Sequence, residues 1–167
     1  MVRSRSEHAV IVPTVAFRLA QREDVPALLH LLPDLSPDPE EVRADLPALD
    51  RGYAIFDQMQ RHGNVHIVLA CLPATAAVIG SCMVVVVPNF TYRRPWAIIE
   101  NVVIAATHQR QGIGAALLAY AFEFAEQQGC YKAQLLSGPD ERQIRFYRKV
   151  GMDDSHCHGF KKWFIAP

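Results

Sequence analysis

The segment from Ile98 to Gly129 constrains this chain more than any other. An apolar strand-like run, Ile98-Ile99-Glu100-Asn101-Val102-Val103-Ile104, is followed by four small or polar residues, and then Gln109-Arg110-Gln111-Gly112-Ile113-Gly114-Ala115 opens an apolar helical run. A buried strand that feeds a glycine-bearing turn at a helix start creates a cradle of free backbone N–H groups, and such a cradle suits a phosphate-bearing ligand. Three phosphate-cradling patterns compete for the turn. The nucleotide P-loop requires Lys and Ser or Thr after its last glycine, where this chain has Ala115 and Ala116. The dinucleotide fingerprint requires a third small residue where Leu117 stands. The third pattern, Gln/Arg-x-x-Gly-x-Gly/Ala, is met throughout by Gln109 to Gly114.

That third pattern resembles the pyrophosphate turn of the GNAT superfamily of N-acetyltransferases. Further blocks resemble the family in order and spacing: Ile99 to Val103 before the turn, Gly129-Cys130-Tyr131-Lys132 after the helix, and Phe146-Tyr147-Arg148-Lys149-Val150-Gly151 beyond it. The resemblance covers roughly Val65 to Phe164 and is most similar to the branch that contains glucosamine-6-phosphate N-acetyltransferases. It implies a single-domain α/β fold, with a mixed, mostly antiparallel sheet of splayed strands flanked by helices. It also implies acetyl-CoA as cofactor and transfer of the acetyl group to a primary amine of a small molecule by direct attack. Two narrower or different functions stay open: action on glucosamine 6-phosphate specifically, and a coenzyme-A-binding sensor or interaction module without catalysis.

Length and composition fit one domain. Half of the 167 residues are hydrophobic, enough for a substantial core, and residues 1–13 read as an N-terminal arm. Seventeen basic residues balance seventeen acidic ones, so net charge offers no reason to expect nucleic acid or an anionic membrane as partner. No apolar run approaches the roughly 20 residues of a membrane helix. Arg3 and Arg5 before an apolar stretch resemble a short signal peptide, but Pro13 interrupts it, so a cytoplasmic protein is the expectation. Cys71, Cys82, Cys130 and Cys157 are widely spaced and read as reduced structural thiols. A homodimer is compatible with the apolar strands near the C-terminus.

Periodicity predicts a strand over Thr14 to Leu19, a helix beginning near Arg22 and ended by Pro33, and a second helical stretch that Pro47 breaks in two. Leu49, Tyr53, Phe56 and Met59 fall on one face of its second part, and Gly63-Asn64 stops it. A hairpin follows over Val65 to Leu72 and Val78 to Val87, then a proline-bounded loop and a strand at Trp96 to Ile104. The main helix runs about Gly112 to Gln128, with Leu117, Leu118, Ala121, Phe122 and Ala125 inward. A strand at Tyr131 to Leu136, a helix at Asp140 to Val150 and a final strand at about His158 to Ile165 complete the pattern.

Acetyl transfer to an amine requires a base and stabilisation of the departing thiolate. An alkyl ammonium with pKa near 10.4 is about one part in a thousand neutral near pH 7.4. Ile98, Glu100 and Val102 share one face of a regular strand, an apolar setting that favours Glu100 as proton acceptor. The alternatives are a structural ion pair or a solvent-facing side chain at a bulge. Tyr147 stands where family resemblance implies a hydroxyl donating toward the cofactor sulfur; alternatively, Phe146 and Tyr147 are core aromatics of a short helix. The pyrophosphate is expected on the turn formed by Gln109, Arg110, Gln111, Gly112, Ile113, Gly114 and Ala115, with Arg110 adding charge. The resemblance further implies backbone contacts from Val102, Val103 and Ile104 to the pantetheine arm, a cofactor contact from Gln143, and an acceptor pocket shaped by the helices of Arg22 to Arg61. Asn101 departs from the branch, which usually carries Asp there, and this weakens transfer of the sugar substrate. His156-Cys157-His158 lacks the partner cluster a metal needs, so no metal is expected. His108 reads as a solvent-facing loop residue that could reach a phosphate, and Arg93, Arg94 and Lys132 read as solvated surface that could meet an acidic acceptor.

Overall fold

A computed structural model describes residues 15–36 and 38–155 together with residues 159, 162 and 164. The expected final strand and the His156–His158 cluster lie outside the described residues.

The described chain forms β1 (Ala16–Leu19), α1 (Val25–Leu31), α2 (Pro39–Ala44), α3 (Leu49–His62), β2 (Val65–Cys71), β3 (Val78–Val87), β4 (Trp96–Ile104), α4 (Ile113–Gln127), β5 (Ala133–Gln134) and α5 (Glu141–Lys149). The five strands lie side by side in chain order. β1 to β4 pair antiparallel and β5 adds parallel to β4, the mixed, mostly antiparallel sheet anticipated from the sequence. Pro47 lies between α2 and α3, because it has no amide to donate and clashes with the preceding turn. Gly63 ends α3 at φ +68°, where a side chain would be strained. Pro33 does not end the first helical stretch outright: a short 3₁₀ turn, Leu32–Leu35, carries the chain past it.

One layer of the core lies between the sheet and α4. Val68, Cys82, Val84, Ala97 and Ile99 meet Ile113, Leu117, Leu118, Ala121 and Ala125, with Phe146 and Tyr147 of α5 packed against them. Burial of the Val, Leu and Ile side chains among these contributes about 1.5–3 kcal/mol each before entropy is subtracted. The opposite face carries α1 and α3, packed closely at Gly52, where an added Cβ would lie 3.0 Å from Leu29 Cδ1 and 3.1 Å from Val25 Cγ1. Arg18 and Asp24 pin this layer to β1 through paired bonds of 2.6 and 2.7 Å, and Arg22 reaches Asp57 of α3 at 3.0 Å.

Two departures from simple patterning shape the site. β5 spans only Ala133–Gln134, not Tyr131 to Leu136, and pairs only with Ala97 and Ile98. Beyond Ile98, β4 therefore has no strand on that side among the described residues. The second departure is inside β4. Met83 pairs with Glu100 but Ser81 pairs with Val103, so β4 carries one extra residue, and Asn101 takes φ +53°. This is a β-bulge. Ala97 and Ile99 face α4 before it, whereas Val102 and Ile104 pack toward α4 after it. Ile98, Glu100 and Val102 thus do not share a face, because the inserted residue reverses the alternation between Glu100 and Val102.

Candidate active site

The chain leaves β4 at Ile104, makes a short turn at Ala106–His108 and enters α4 at Ile113. Arg110 at φ +62° and Gly112 at φ +81° bend the backbone so that successive amides converge, the geometry of an anion-binding nest. The first amide of this stretch to bond back is that of Ala116, which donates to Gly112 O at 3.2 Å. Among the described residues the N–H groups of Gln111, Gly112, Ile113, Gly114 and Ala115 have no backbone acceptor. They stand at the positive end of a 15-residue helix dipole.

The two glycines serve different purposes. A Cβ on Gly112 would meet nothing within 4 Å among the described residues, so the backbone angle, not crowding, is what demands glycine. A Cβ on Gly114 would lie 3.4 Å from Phe146 Cζ and 3.6 Å from Ile104 Cγ1, so this glycine lets α4 approach α5 and β4. Gln109 braces the turn: its Nε2 donates to Ile104 O at 2.9 Å, while Gln111 Nε2 donates to Thr107 O at 3.3 Å. Arg110 is exposed beside the nest. His108 is half-buried, with Nδ1 2.9 Å from Thr107 Oγ1.

At the exposed edge of β4 the structure separates three residues that the sequence groups together. Ala105 N–H donates to Ile79 O, and Val103 faces Ser81 across the ladder, so alternation directs the backbone groups of Val103 to β3. Val102 and Ile104 direct theirs to the edge that β5 leaves free, which is where Gln109 finds the Ile104 carbonyl.

Glu100 is half-buried at the bulge, on the face of Met83, its cross-strand partner. Tyr147 is half-buried, and its ring lies 5.2 Å from that of Phe146. Burial pushes the Tyr147 phenol above its ordinary pKa, and nearby Cys82 and Glu100 add to the rise. The phenol is therefore protonated at neutral pH and available as an acid. Cys82, buried beneath it, has its thiol pushed up to about 12 by desolvation. A thiol so protonated is a poor nucleophile. Gln143 is exposed on the first turn of α5, where its Oε1 accepts from Ser137 Oγ at 3.3 Å and so fixes the turn before the helix.

Asp34, which sequence reasoning missed, belongs to this region. Its Oδ2 accepts from Ala106 N at 3.0 Å, tying the connector after α1 to the turn that precedes the nest. The two residues are 72 positions apart, and no local pattern links them. Among the described residues no group of three His, Cys, Asp or Glu could hold a metal, and no helix is long and apolar enough to cross a membrane.

The family model described as the acetyltransferase (GNAT) family matches residues 28–152. A glucosamine 6-phosphate N-acetyltransferase of Trypanosoma brucei brucei is 29% identical over 135 residues, spanning 80% of this chain and 86% of its own. The crystal structure of a Trypanosoma brucei acetyltransferase superposes with a TM-score of 0.73 at 26% identity, covering 90% of this chain and 100% of its own. That of a transcriptional regulator from Bacillus halodurans gives 0.77 at 28% identity, with 90% and 100% covered. With the family model spanning most of the sequence and the sheet, nest and bulge in place, the chain belongs to the GNAT family of acetyltransferases.

Proposed function

We infer that the protein transfers the acetyl group of acetyl-CoA to a primary amine of a small molecule, by direct attack of the amine on the thioester. The observation that carries this reading is the continuity of one surface. The unbonded amides at the mouth of α4 adjoin the free edge of β4 at Val102 and Ile104, and that edge leads to the bulge beside Glu100, whose charge is felt at Tyr147. The nest fits a diphosphate: converging N–H groups, the helix dipole and the exposed Arg110 all favour negative charge, and among the described residues nothing lies within 4 Å of a Cβ built on Gly112.

In this reading the amides of Gln111, Gly112, Ile113, Gly114 and Ala115 hold the pyrophosphate, with Arg110 beside it. Val102 and Ile104 offer backbone groups to the pantetheine arm, and Val103 and Gln109 keep the strand edge and turn in place. Gln143 acts on the cofactor side indirectly, through the Ser137 turn. Glu100 receives the proton that the amine loses, directly or through one water. The amine lone pair forms the new C–N bond as the C–S bond breaks, and the Tyr147 hydroxyl gives its proton to the departing sulfur. Cys82, protonated and buried, takes no acetyl group, in keeping with a route that has no acyl-enzyme.

The T. brucei brucei relative favours a narrower second reading, with glucosamine 6-phosphate as acceptor. Release of free thiol from acetyl-CoA, followed across a panel of amines that includes this sugar, tests both. Turnover with any amine supports transfer. Calorimetric binding of acetyl-CoA without turnover on the whole panel refutes it and favours a binding module.

A further inference from the structure

Between the sheet and the α1–α3 layer lies a cavity of about 210 Å³. Leu28, Leu29, Phe56, Met59 and Met83 contribute apolar walls. Ser81 and Asn101 also line it, and Asn101 is the bulge residue adjacent to Glu100. Among the described residues no Lys, Arg or His lines the cavity. Ser81 is the buried polar residue of the described core, 6% exposed, and stands on the cavity wall. A hydroxyl on the wall of an otherwise apolar cavity is a hydrogen-bonding group open to an occupant.

We propose that this cavity is the acceptor subsite and that it takes the apolar arm of an alkyl- or arylalkylamine, with Ser81 and Asn101 meeting the polar end next to Glu100. The proposal rests on the acetyl-transfer reading above. Its position follows from the ladder: Met83 is the cross-strand partner of Glu100, so a group lying on Met83 is within a few ångströms of the carboxylate. Its size is below the roughly 300–1,000 Å³ of pockets that enclose drug-sized ligands, so it suits an arm of one ring or a short chain. The lining that the described residues form disfavours a phosphate. A phosphoryl dianion requires Arg, Lys or converging amides, and setting one against Leu, Phe and Met strips its hydration without replacement.

Titration of the protein, labelled with ¹³C at its methionine methyl groups, with 2-phenylethylamine and with glucosamine 6-phosphate tests this. Met59 and Met83 report on the cavity, Met152 serves as control, and the variants Met59→Leu and Met83→Leu assign the signals. The expected result is saturable movement of the Met59 and Met83 signals with 2-phenylethylamine, a still Met152, and no movement with the sugar phosphate. Met83→Trp, with Leu29→Phe as a second filling variant, should raise KM for 2-phenylethylamine at least about tenfold while KM for acetyl-CoA stays unchanged. Still Met59 and Met83 signals with 2-phenylethylamine, or saturable movement with glucosamine 6-phosphate, overturn the proposal. Occupancy of the cavity by 2-phenylethylamine without thiol release in the presence of acetyl-CoA refutes acetyl transfer to that amine and leaves the apolar subsite standing. Thiol release with glucosamine 6-phosphate, together with still Met59 and Met83 signals on addition of 2-phenylethylamine, does the reverse.

Discussion

Replacing Gly112 with valine separates backbone strain from ligand binding, because the same fold contains a matched control. Gly112 and Gly129 have φ of +81° and +78°, and an added Cβ would meet nothing within 4 Å at either. A side chain at these angles costs roughly 1–2 kcal/mol, and β-branching places valine at the upper end. For a chain of this size that corresponds to a fall in Tm of about 2–4 °C per kcal/mol, and the fall should be similar for Gly112→Val and Gly129→Val. The two sites stand at opposite ends of α4, roughly 22 Å apart along 15 residues. Only at position 112 would the new side chain occupy the space before the unbonded amides. Loss of one charge-assisted hydrogen bond to a phosphate oxygen is worth about 1.5–3 kcal/mol, so Kd for coenzyme A should rise roughly 10- to 150-fold in Gly112→Val and stay near wild type in Gly129→Val. Calorimetric titration with coenzyme A, beside a thermal melt of each variant, reads both quantities. Equal Kd values for the two variants, whether both weakened or both intact, would refute the assignment of the nest as the diphosphate site.

Other expectations concern the chemistry and the frame. Glu100→Gln should lower turnover at pH 7 while leaving the coenzyme A Kd within about twofold, since the carboxylate faces Met83 rather than the nest; unchanged turnover removes Glu100 as base. Tyr147→Phe should slow thiol release at least about tenfold. Because burial raises the wild-type phenol, the midpoint of its ionisation, followed by ultraviolet absorbance, should lie above the ordinary value near 10, and activity that depends on the protonated form should fall only through that higher range; a midpoint assigned to Tyr147 below 10 contradicts the placement. Asp24→Asn should lower stability by about 1 kcal/mol at pH 7, a value discounted because Arg18 is 42% exposed. The Arg18 hydrogen bond holds the Asp24 carboxyl below 3.8, so its contribution is present above that pH and lost as pH falls through the depressed value; the gap between variant and wild type in chemical denaturation should close in acid, and a gap constant with pH would exclude this linkage.

The elements that build the site were legible wherever the signal was local. The nest is announced by Gln109 to Gly114, α4 by its apolar repeat, and the β2–β3 hairpin by two runs around a turn of small residues. The bulge was not. Ile98-Glu100-Val102 alternates as a regular strand does, and only the asparagine at 101, a residue that tolerates positive φ, hints at an insertion. The shortness of β5 was equally hidden, because Tyr131 to Leu136 has strand composition and the separation from β4 is decided by tertiary packing. Gly112 and Gly114 read alike in one motif, yet one answers to backbone angle and the other to Phe146. The bond from Ala106 to Asp34 and the cavity beneath α1 and α3 both depend on segments brought together from distant parts of the chain, and periodicity carries no such information.

The extra residue in β4 makes this strand intolerant of length change in a way that its tolerance of substitution would conceal. Exchanging Asn101 for another amino acid strains one pair of dihedrals; excising it would rotate Val102, Val103 and Ile104 half a turn, sending side chains made for α4 to the opposite layer and the reverse. The count of residues between Ile99 and Val102 is thus held by the packing of both layers at once, as if the strand were read in two frames joined by a single unpaired letter.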